Sequence, residues 1–241
     1  MSQVYIPEPL TVPALWEPWR KPYSPVSVNM DHPLARGLKV YTLGGRNLLN
    51  APRLINNSVP SKGGDFNFTG VAGQYISMGD RVFASPAFSV VLVLRIRSIV
   101  DAYPMVFSNG NSASRRGAFI FYHTVRNRLE VALYNASALI SAPSMSFDIL
   151  GSVERTVVVT SDGVSACKMF TDGDLDVEDS ISTPQIVASD ADRITRLGDS
   201  PDNFWGHLDG PVSRFSYYNR ALSDIDAKFL SLNPNAVLKV A

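Results

Sequence analysis

The chain has 241 residues, 45% of them apolar and 18% charged, with 22 basic residues balanced by 22 acidic ones. That length suffices for one large β domain with a core that needs no cross-link, and the one cysteine, Cys167, excludes an internal disulfide and a cysteine zinc cage. The neutral balance argues against a phosphate-gripping nucleic-acid binder, and neither a membrane-length apolar run nor a basic-then-apolar leader at Met1 to Pro7 is present.

Proline organises the first stretch. Pro7, Pro9, Pro13, Pro18, Pro22, Pro25 and Pro33 come early; each fixes φ, removes a backbone donor and drives the residue before it toward extended geometry. Residues 1–37 therefore read as an extended arm, neither helix nor central strand. Its content is unlike a spacer's. Tyr5, Leu10, Leu15, Trp16, Trp19 and Tyr23 are large apolar groups beside Glu17, Arg20 and Lys21, whereas disordered linkers are poor in aromatics. Such an arm docks either on its own domain or on a neighbouring subunit, where aromatic anchors carry much of the binding energy.

From residue 38 onward the pattern is β. Phe66 to Gly70 and Gln74 to Met78 are short strands around a Gly-Val-Ala-Gly turn. Phe88 to Ile96 is almost continuously apolar and rich in β-branched residues, which predicts a strand buried on both faces. Pro104 to Phe107 and Gly117 to His123 follow, separated by a polar loop from Ser108 to Arg116. Arg128 to Tyr134 alternates, placing Leu129, Val131 and Leu133 on one face. Glu154 to Thr160, the turn Ser161-Asp-Gly163, and Ala166 to Phe170 form a hairpin signature, with Thr171-Asp-Gly-Asp174 as the next turn. Further strands are predicted at Arg193 to Leu197 and Val212 to Tyr218. One helix starts at Ser223, where Ser223-Asp-Ile-Asp226 resembles a capping box; Ile225, Phe229 and Leu232 fall at helical spacing and Pro234 stops it. Short strands in turn-separated succession imply a two-sheet antiparallel sandwich over residues 38–241.

The order of these phrases is similar to that of the concanavalin A-like, laminin-G-like (LamG-like) jelly-roll superfamily over roughly residues 65–232. Phe68-Thr-Gly70 with Gln74-Tyr-Ile-Ser77 resembles its early phrase, Thr160-Ser-Asp-Gly163 and Phe170-Thr-Asp-Gly173 its paired Asp-Gly turns, and Leu197-Gly198 its hydrophobic-Gly step. Gly210 to Ser223 carries the most specific match, ending Tyr218-Asn-Arg-Ala-Leu-Ser223, although Ser213-Arg214 replaces the acidic pair of the family pattern. The resemblance implies an all-β jelly roll with one short C-terminal helix. A narrower one concerns His32-Pro-Leu-Ala-Arg-Gly-Leu38 behind its proline-rich head, which resembles the opening of jelly-roll virion proteins of tailed bacteriophages. It implies a place on the virion, reached by assembly in the reducing host cytoplasm, where a disulfide-free body fits.

Catalytic chemistry finds little support. Glucanases of the resembled superfamily aim carboxylates from alternate strand positions into one cleft. Asp174, Asp176 and Glu178 alternate, but they begin in an Asp-Gly turn and read as a solvated edge strand that discourages aggregation. As a calcium loop the run has Val177 where an EF-hand needs Gly and Thr183 where it needs Glu. Asp199, Asp202 and Asn203 read as loop caps, His123 as a strand histidine, Cys167 as a buried thiol, and His207 with Asp209 as a base–orienter pair lacking a nucleophile. No metal, cofactor or enzymatic activity is predicted.

Two binding functions remain. The leading expectation is a non-enzymatic structural protein of a tailed phage, a capsid decoration or accessory head protein. Its arm docks Tyr5, Trp16, Trp19 and Tyr23 onto capsid or other virion proteins or onto further copies of itself, and many copies strengthen weak contacts. The alternative is a lectin-like, carbohydrate-binding module in which Asn203, Trp205 and His207 meet a glycan, an aromatic face with adjacent polar groups being what a sugar needs; packing of Trp205 at the sandwich end is the competing reading. Nucleic acid and membrane are not expected partners.

Overall fold

Gly and Asp-Gly turns cut the chain into short strands, and the computed structural model describes residues 25–43, 46–49, 54–57, 59, 61–62, 65–78, 85–111, 116–135, 138–151, 153–185, 195–199 and 205–240. Among the described residues the first strands are β1 Val26–Val28, β2 Leu38–Leu43, β3 Arg46–Asn47, β4 Ile55–Asn57, β5 Ser61–Lys62, β6 Asp65–Thr69 and β7 Tyr75–Ser77. Longer strands follow: β8 Phe88–Leu94, β9 Pro104–Asn111, β10 Arg116–His123, β11 Arg128–Asn135, β12 Ala138–Ser141, β13 Arg155–Ser161, β14 Ala166–Thr171 and β15 Asp174–Ser180. The last are β16 Thr195–Leu197, β17 Gly206–His207, β18 Asp209–Tyr218 and, after helix α1 Asp224–Leu232, β19 Leu238–Val240.

They build two large sheets and a two-stranded ribbon, antiparallel except where β17 runs parallel to β9. The nine-stranded sheet has the order β15-β14-β13-β8-β18-β2-β3, with β6 joining β18 and β5 pairing β6; the eight-stranded sheet has the order β12-β11-β10-β9-β16-β7-β4, with β17 against β9. Between them lies the main core, with Val90, Leu92 and Leu94 of β8 and Phe215 and Tyr217 of β18 meeting Phe107, Ile120 and the alternating Leu129, Val131 and Leu133. Phe107 and Phe215 stack across it with ring centroids 5.7 Å apart. Each such side chain contributes about 1.5–3 kcal/mol by leaving water.

β8 is buried along its whole length, as its sequence predicts. Its other face sends Val91 into a second cluster with Tyr41, Val158, Phe170 and Tyr218. That cluster is covered by α1, through Ala227 and Leu230, and by the terminal ribbon, through Val28, Val237 and Leu238. The ribbon is β1 paired with β19, and the Tyr41 hydroxyl fastens its approach by donating to the Pro234 carbonyl at 2.9 Å. At the head of α1 the Ser223 hydroxyl accepts from the Asp226 N–H, the capping half of the predicted box.

Three expectations are revised. Ser108 to Asn111 belong to β9 instead of a loop, and they pair with Arg116 to Phe119. Gly110 lies opposite Gly117 there, and a Cβ on Gly110 would stand 2.1 Å from the Arg116 carbonyl oxygen, so the strands close only because both are glycine. Second, the helix seats Ala227, Leu230 and Ser231, whereas Ile225 and Leu232 point outward. Ser231 fixes this rotation by accepting from the Gly173 N–H at 2.8 Å, and Lys168 fixes the other end through Asp224 at 3.1 Å. Third, the described part of the expected arm includes a helical piece, a 3-10 turn at Pro33–Ala35, capped by His32 Nδ1 accepting from the Leu34 N–H. Proline tolerates the first position of a helical turn.

Residues 1–24, including Tyr5, Trp16, Trp19 and Tyr23, lie outside the described residues, as does Asn203. Residues 25–37 rest on the body, with Val28, Leu34 and Ala35 in the second cluster.

Candidate functional site

The two sheets differ in what covers their outer sides. On the eight-stranded sheet the outward side chains are aromatic: Phe119 and Phe121 of β10 alternate with the core residues Ala118, Ile120 and Tyr122. Cross-strand partners share this face, placing Met105 of β9 and Ala132 of β11 beside them. Trp205 covers the group. Its ring lies 4.7 Å from Phe121, 6.1 Å from Phe119 and 6.0 Å from Tyr103. Tyr103 meets His123 edge-on at 5.0 Å, and Phe119 meets Tyr134 at 5.9 Å. Contacts of this kind are worth about 0.5–1.5 kcal/mol each beyond burial.

Backbone geometry holds Trp205 there. The Gly206 N–H donates to the carbonyls of Ala102 and Tyr103 at 3.0 and 3.2 Å. Tyr103 adopts a left-handed φ of 54°, a strained conformation for an aromatic residue, which starts the turn into β9. Trp205 is 9% exposed, so the competing reading of it as a packing residue describes it better than a free sugar platform does. Tyr103, Tyr134 and His123 around it remain partly open to solvent.

His207, two residues on, sits among charges. Its Nδ1 is 3.5 Å from Asp199 and its Nε2 3.8 Å from Asp101. Asp199, 1% exposed, also faces Arg196 at 3.9 Å, and that guanidinium lies 3.9 Å over the Tyr75 ring. The Ser108 hydroxyl donates to the Asp199 carbonyl at 3.0 Å. Charges so placed in a low-dielectric setting interact more strongly than they would in water. The pairing of His207 with Asp209 is corrected: Arg97 holds Asp209 at 2.7 Å, and Ser98 donates to its other oxygen.

Among the described residues, the acidic strand and the cysteine have structural partners. Asp176 accepts from the Ser146 N–H, and Asp179 from Ser141 and the Ala142 N–H, so the acidic strand β15 ties loops to a sheet edge instead of aiming carboxylates into a cleft. Cys167 is fully buried; burial pushes its thiol up, and Asp179 and Asp162 push it further. Among the described residues no three His, Cys, Asp or Glu side chains are grouped to hold a metal. The segments His32 to Leu38 and Tyr218 to Ser223 meet in space. The Asn219 N–H donates to Gly37 O at 2.9 Å and Arg220 Nε to Arg36 O at 2.7 Å, beside an open cleft of about 780 Å3.

Sequence reasoning therefore singled out Trp205 and His207, which the fold brings into one region, but passed over Tyr103, Arg196 and Asp101. A usable signal was the apolar character of both sides of β10, since an apolar outer face requires a cover.

Two antiparallel sheets packed around one core make a β-sandwich of the jelly-roll type. The chain belongs to the concanavalin A-like lectin/glucanases superfamily, whose family model matches residues 69–227. Among solved structures it is similar to the binding domain of Paraclostridial Mosquitocidal Protein 1, with a TM-score of 0.65 and 14% identity over 82% of this chain and 52% of that one. It is also similar to the CBM40 module of a Ruminococcus gnavus IT-sialidase bound to alpha2,3 sialyllactose (TM-score 0.57, 16% identity, 69% of this chain and 97% of that one). A third is the Botulinum neurotoxin DC binding domain in complex with rat synaptotagmin II (TM-score 0.61, 12% identity, 81% and 51%). The chain thus spans about half the length of the mosquitocidal and neurotoxin binding domains. No curated protein matches its sequence.

Proposed function

We propose that this domain is a non-catalytic carbohydrate-binding module whose binding surface is the outer face of the eight-stranded sheet around Trp205. The observation that carries the reading is the uneven cover of the sandwich. Among the described residues, one outer face is covered by a helix and a ribbon, whereas the other keeps Tyr103, His123 and Tyr134 partly open around a buried indole. Sugars offer a flat C–H face to aromatic rings and hydroxyls to neighbouring polar groups, and a rigid platform lowers the entropy lost on binding. Support also comes from the Ruminococcus module, which is nearly all covered by this fold and was solved with a sialylated sugar. A glycan array followed by calorimetry tests the proposal. At least one glycan class should bind, and Tyr103→Ala and His123→Ala should each weaken it about tenfold while the protein stays folded. An array without binders, or affinities indifferent to both changes, rejects it.

A second reading concerns where the module sits: on a tailed-phage particle, as a capsid decoration or accessory head protein attached through its amino-terminal arm. Its support is the His32 to Leu38 phrase, which forms a base with Leu34 and Ala35 buried and Gly37 tied to Asn219. Deleting residues 1–24 should leave a folded body that no longer joins particles, read by mass spectrometry of purified virions. Full retention would reject the arm as the attachment device.

A further inference from the structure

The open face of the eight-stranded sheet ends at the turn between β10 and β11, and the charges there are uneven. Register places Arg128 opposite His123 and Glu130 opposite Phe121, so both side chains of β11 stand on the outer side with the rings. Residues directly opposite in an antiparallel pair have Cβ atoms about 4.5–5.5 Å apart, which makes Arg128 and His123 neighbours at the rim. Arg126 is neutralised: its Nη1 lies 2.9 Å from Glu130, whose carboxylate also accepts from the Ser144 hydroxyl. Asp101 faces His207, and Asp199 faces both His207 and Arg196. Arg128 is left without a counter-charge among the described residues.

Local backbone aims what remains. Asn127 takes a left-handed φ of 54°, which a short polar side chain tolerates, and across that turn the Arg128 Nε donates to the Arg126 carbonyl at 3.2 Å. One edge of the guanidinium is thereby fixed. Its Nη1 and Nη2 keep their donors free among the described residues, on a residue that is only partly buried. At His123 the Nδ1 accepts from the Arg126 N–H at 3.3 Å, which assigns the ring proton to Nε2. Tyr103, edge-on at 5.0 Å, and Phe121, at 6.4 Å, hold that imidazole. The rim therefore presents a planar cationic fork and a ring N–H, both donors, beside the partly open ring of Tyr103. Such a fork matches the two oxygens of a carboxylate.

We propose that the sugar taken by this face is an acidic one, a sialic or uronic acid whose carboxylate lies against Arg128 with His123 donating beside it, while its ring meets Tyr103. This names the ligand class of the surface and rests on the domain being a carbohydrate-binding module. Calorimetry on the full chain tests it with α2,3-sialyllactose and trigalacturonic acid, each against its own methyl ester, two pairs that also separate the sources of the carboxylate. The acid of at least one pair should bind at least tenfold more tightly than its ester, and the advantage should shrink as salt is added. Arg128→Gln should bring the two members of that pair level, and Arg128→Lys should restore part of the gap, supplying the charge without the fork. Lys39→Gln, at an exposed position of β2 in the other sheet, should leave the gap in place. All three variants should melt as the wild type does. Equal affinity within both pairs, a preference that Arg128→Gln leaves untouched, or a chain that binds other sugars but neither acid overturns the inference and leaves the module standing. An array with no binder at all removes both.

Discussion

The two outer faces start from similar material and end differently. The nine-stranded sheet turns Tyr41, Val91, Val158, Phe170 and Tyr218 outward, and the eight-stranded sheet turns Met105, Phe119, Phe121 and Ala132 outward. Both are apolar enough to need shielding. The first receives a nine-residue helix and a two-stranded ribbon, and its tyrosines disappear from solvent. Among the described residues, the second receives Trp205, with Tyr103 and Tyr134 partly buried beside it. Residue type on a strand thus decides that a face will be covered, and the amount of chain sent back over it decides whether anything is left to bind with.

The sharpest break of that contrast is on the sealed side. Phe170→Ala removes a fully buried ring beneath α1 and should cost about 3–5 kcal/mol, lowering the melting temperature by roughly 10 °C or more. Urea titration measures it; a loss below about 1 kcal/mol would mean the helix is a loose lid. Trp205→Ala is the counterpart on the open side. It forfeits three ring contacts but is itself the cover and keeps some exposure, so a smaller cost of about 2–3 kcal/mol is expected. An equal cost on the two faces would erase the distinction drawn between them.

A further test lies in the hairpin β13–β14, which supplies Val158 and Phe170 to the sealed face. Asp162 at its turn is pushed up by burial, but the Ser165 hydroxyl and the N–H groups of Ser165, Val164 and Ala166 outweigh this and hold its carboxyl well below the usual range. A depressed folded-state value means the stabilisation is present above the unfolded value, near pH 4, and is lost as pH falls through the folded one. Asp162→Asn should therefore cost about 1–2 kcal/mol at neutral pH. The gap from the wild type should close in acid, as followed by thermal melts between pH 7 and 2.

Much of this was legible in the sequence. The β-branched run at Phe88 to Ile96 announced burial on both faces, which holds from Phe88 to Leu94, and the Ser161-Asp-Gly163 turn marked the β13–β14 hairpin. What escaped had physical causes. Ile225, Phe229 and Leu232 mark a stripe by spacing, but spacing does not say which stripe faces the sheet. Ala227 and Ser231 won because small side chains let the helix sit close enough for the Gly173 N–H to reach Ser231. Polar composition hid the end of β9, where two glycines permit pairing. At the candidate site, Trp205 meets Phe119 and Phe121 from more than eighty positions away, and His207 finds Asp101 rather than the adjacent Asp209. Such contacts follow from the return path of a loop, which local pattern does not encode.

The smallest stability effect is expected where binding is most at stake. Tyr134 stands at the rim of the open face, half-buried, with an edge contact to Phe119. Truncating it removes little core surface, so Tyr134→Ala should cost no more than about 1 kcal/mol. On the sealed face the same change at Tyr218, fully buried with its hydroxyl pushed up by burial, should cost several-fold more. If the open rim exists to hold a sugar, the ranking reverses for affinity. Tyr134→Ala should weaken glycan binding about tenfold, near 1.4 kcal/mol, whereas a folded Tyr218 variant should bind as the wild type does. Paired melts and titrations on the two variants read both rankings at once. A Tyr134 variant that loses stability but keeps its affinity would make the open rim an incompletely covered core and nothing more.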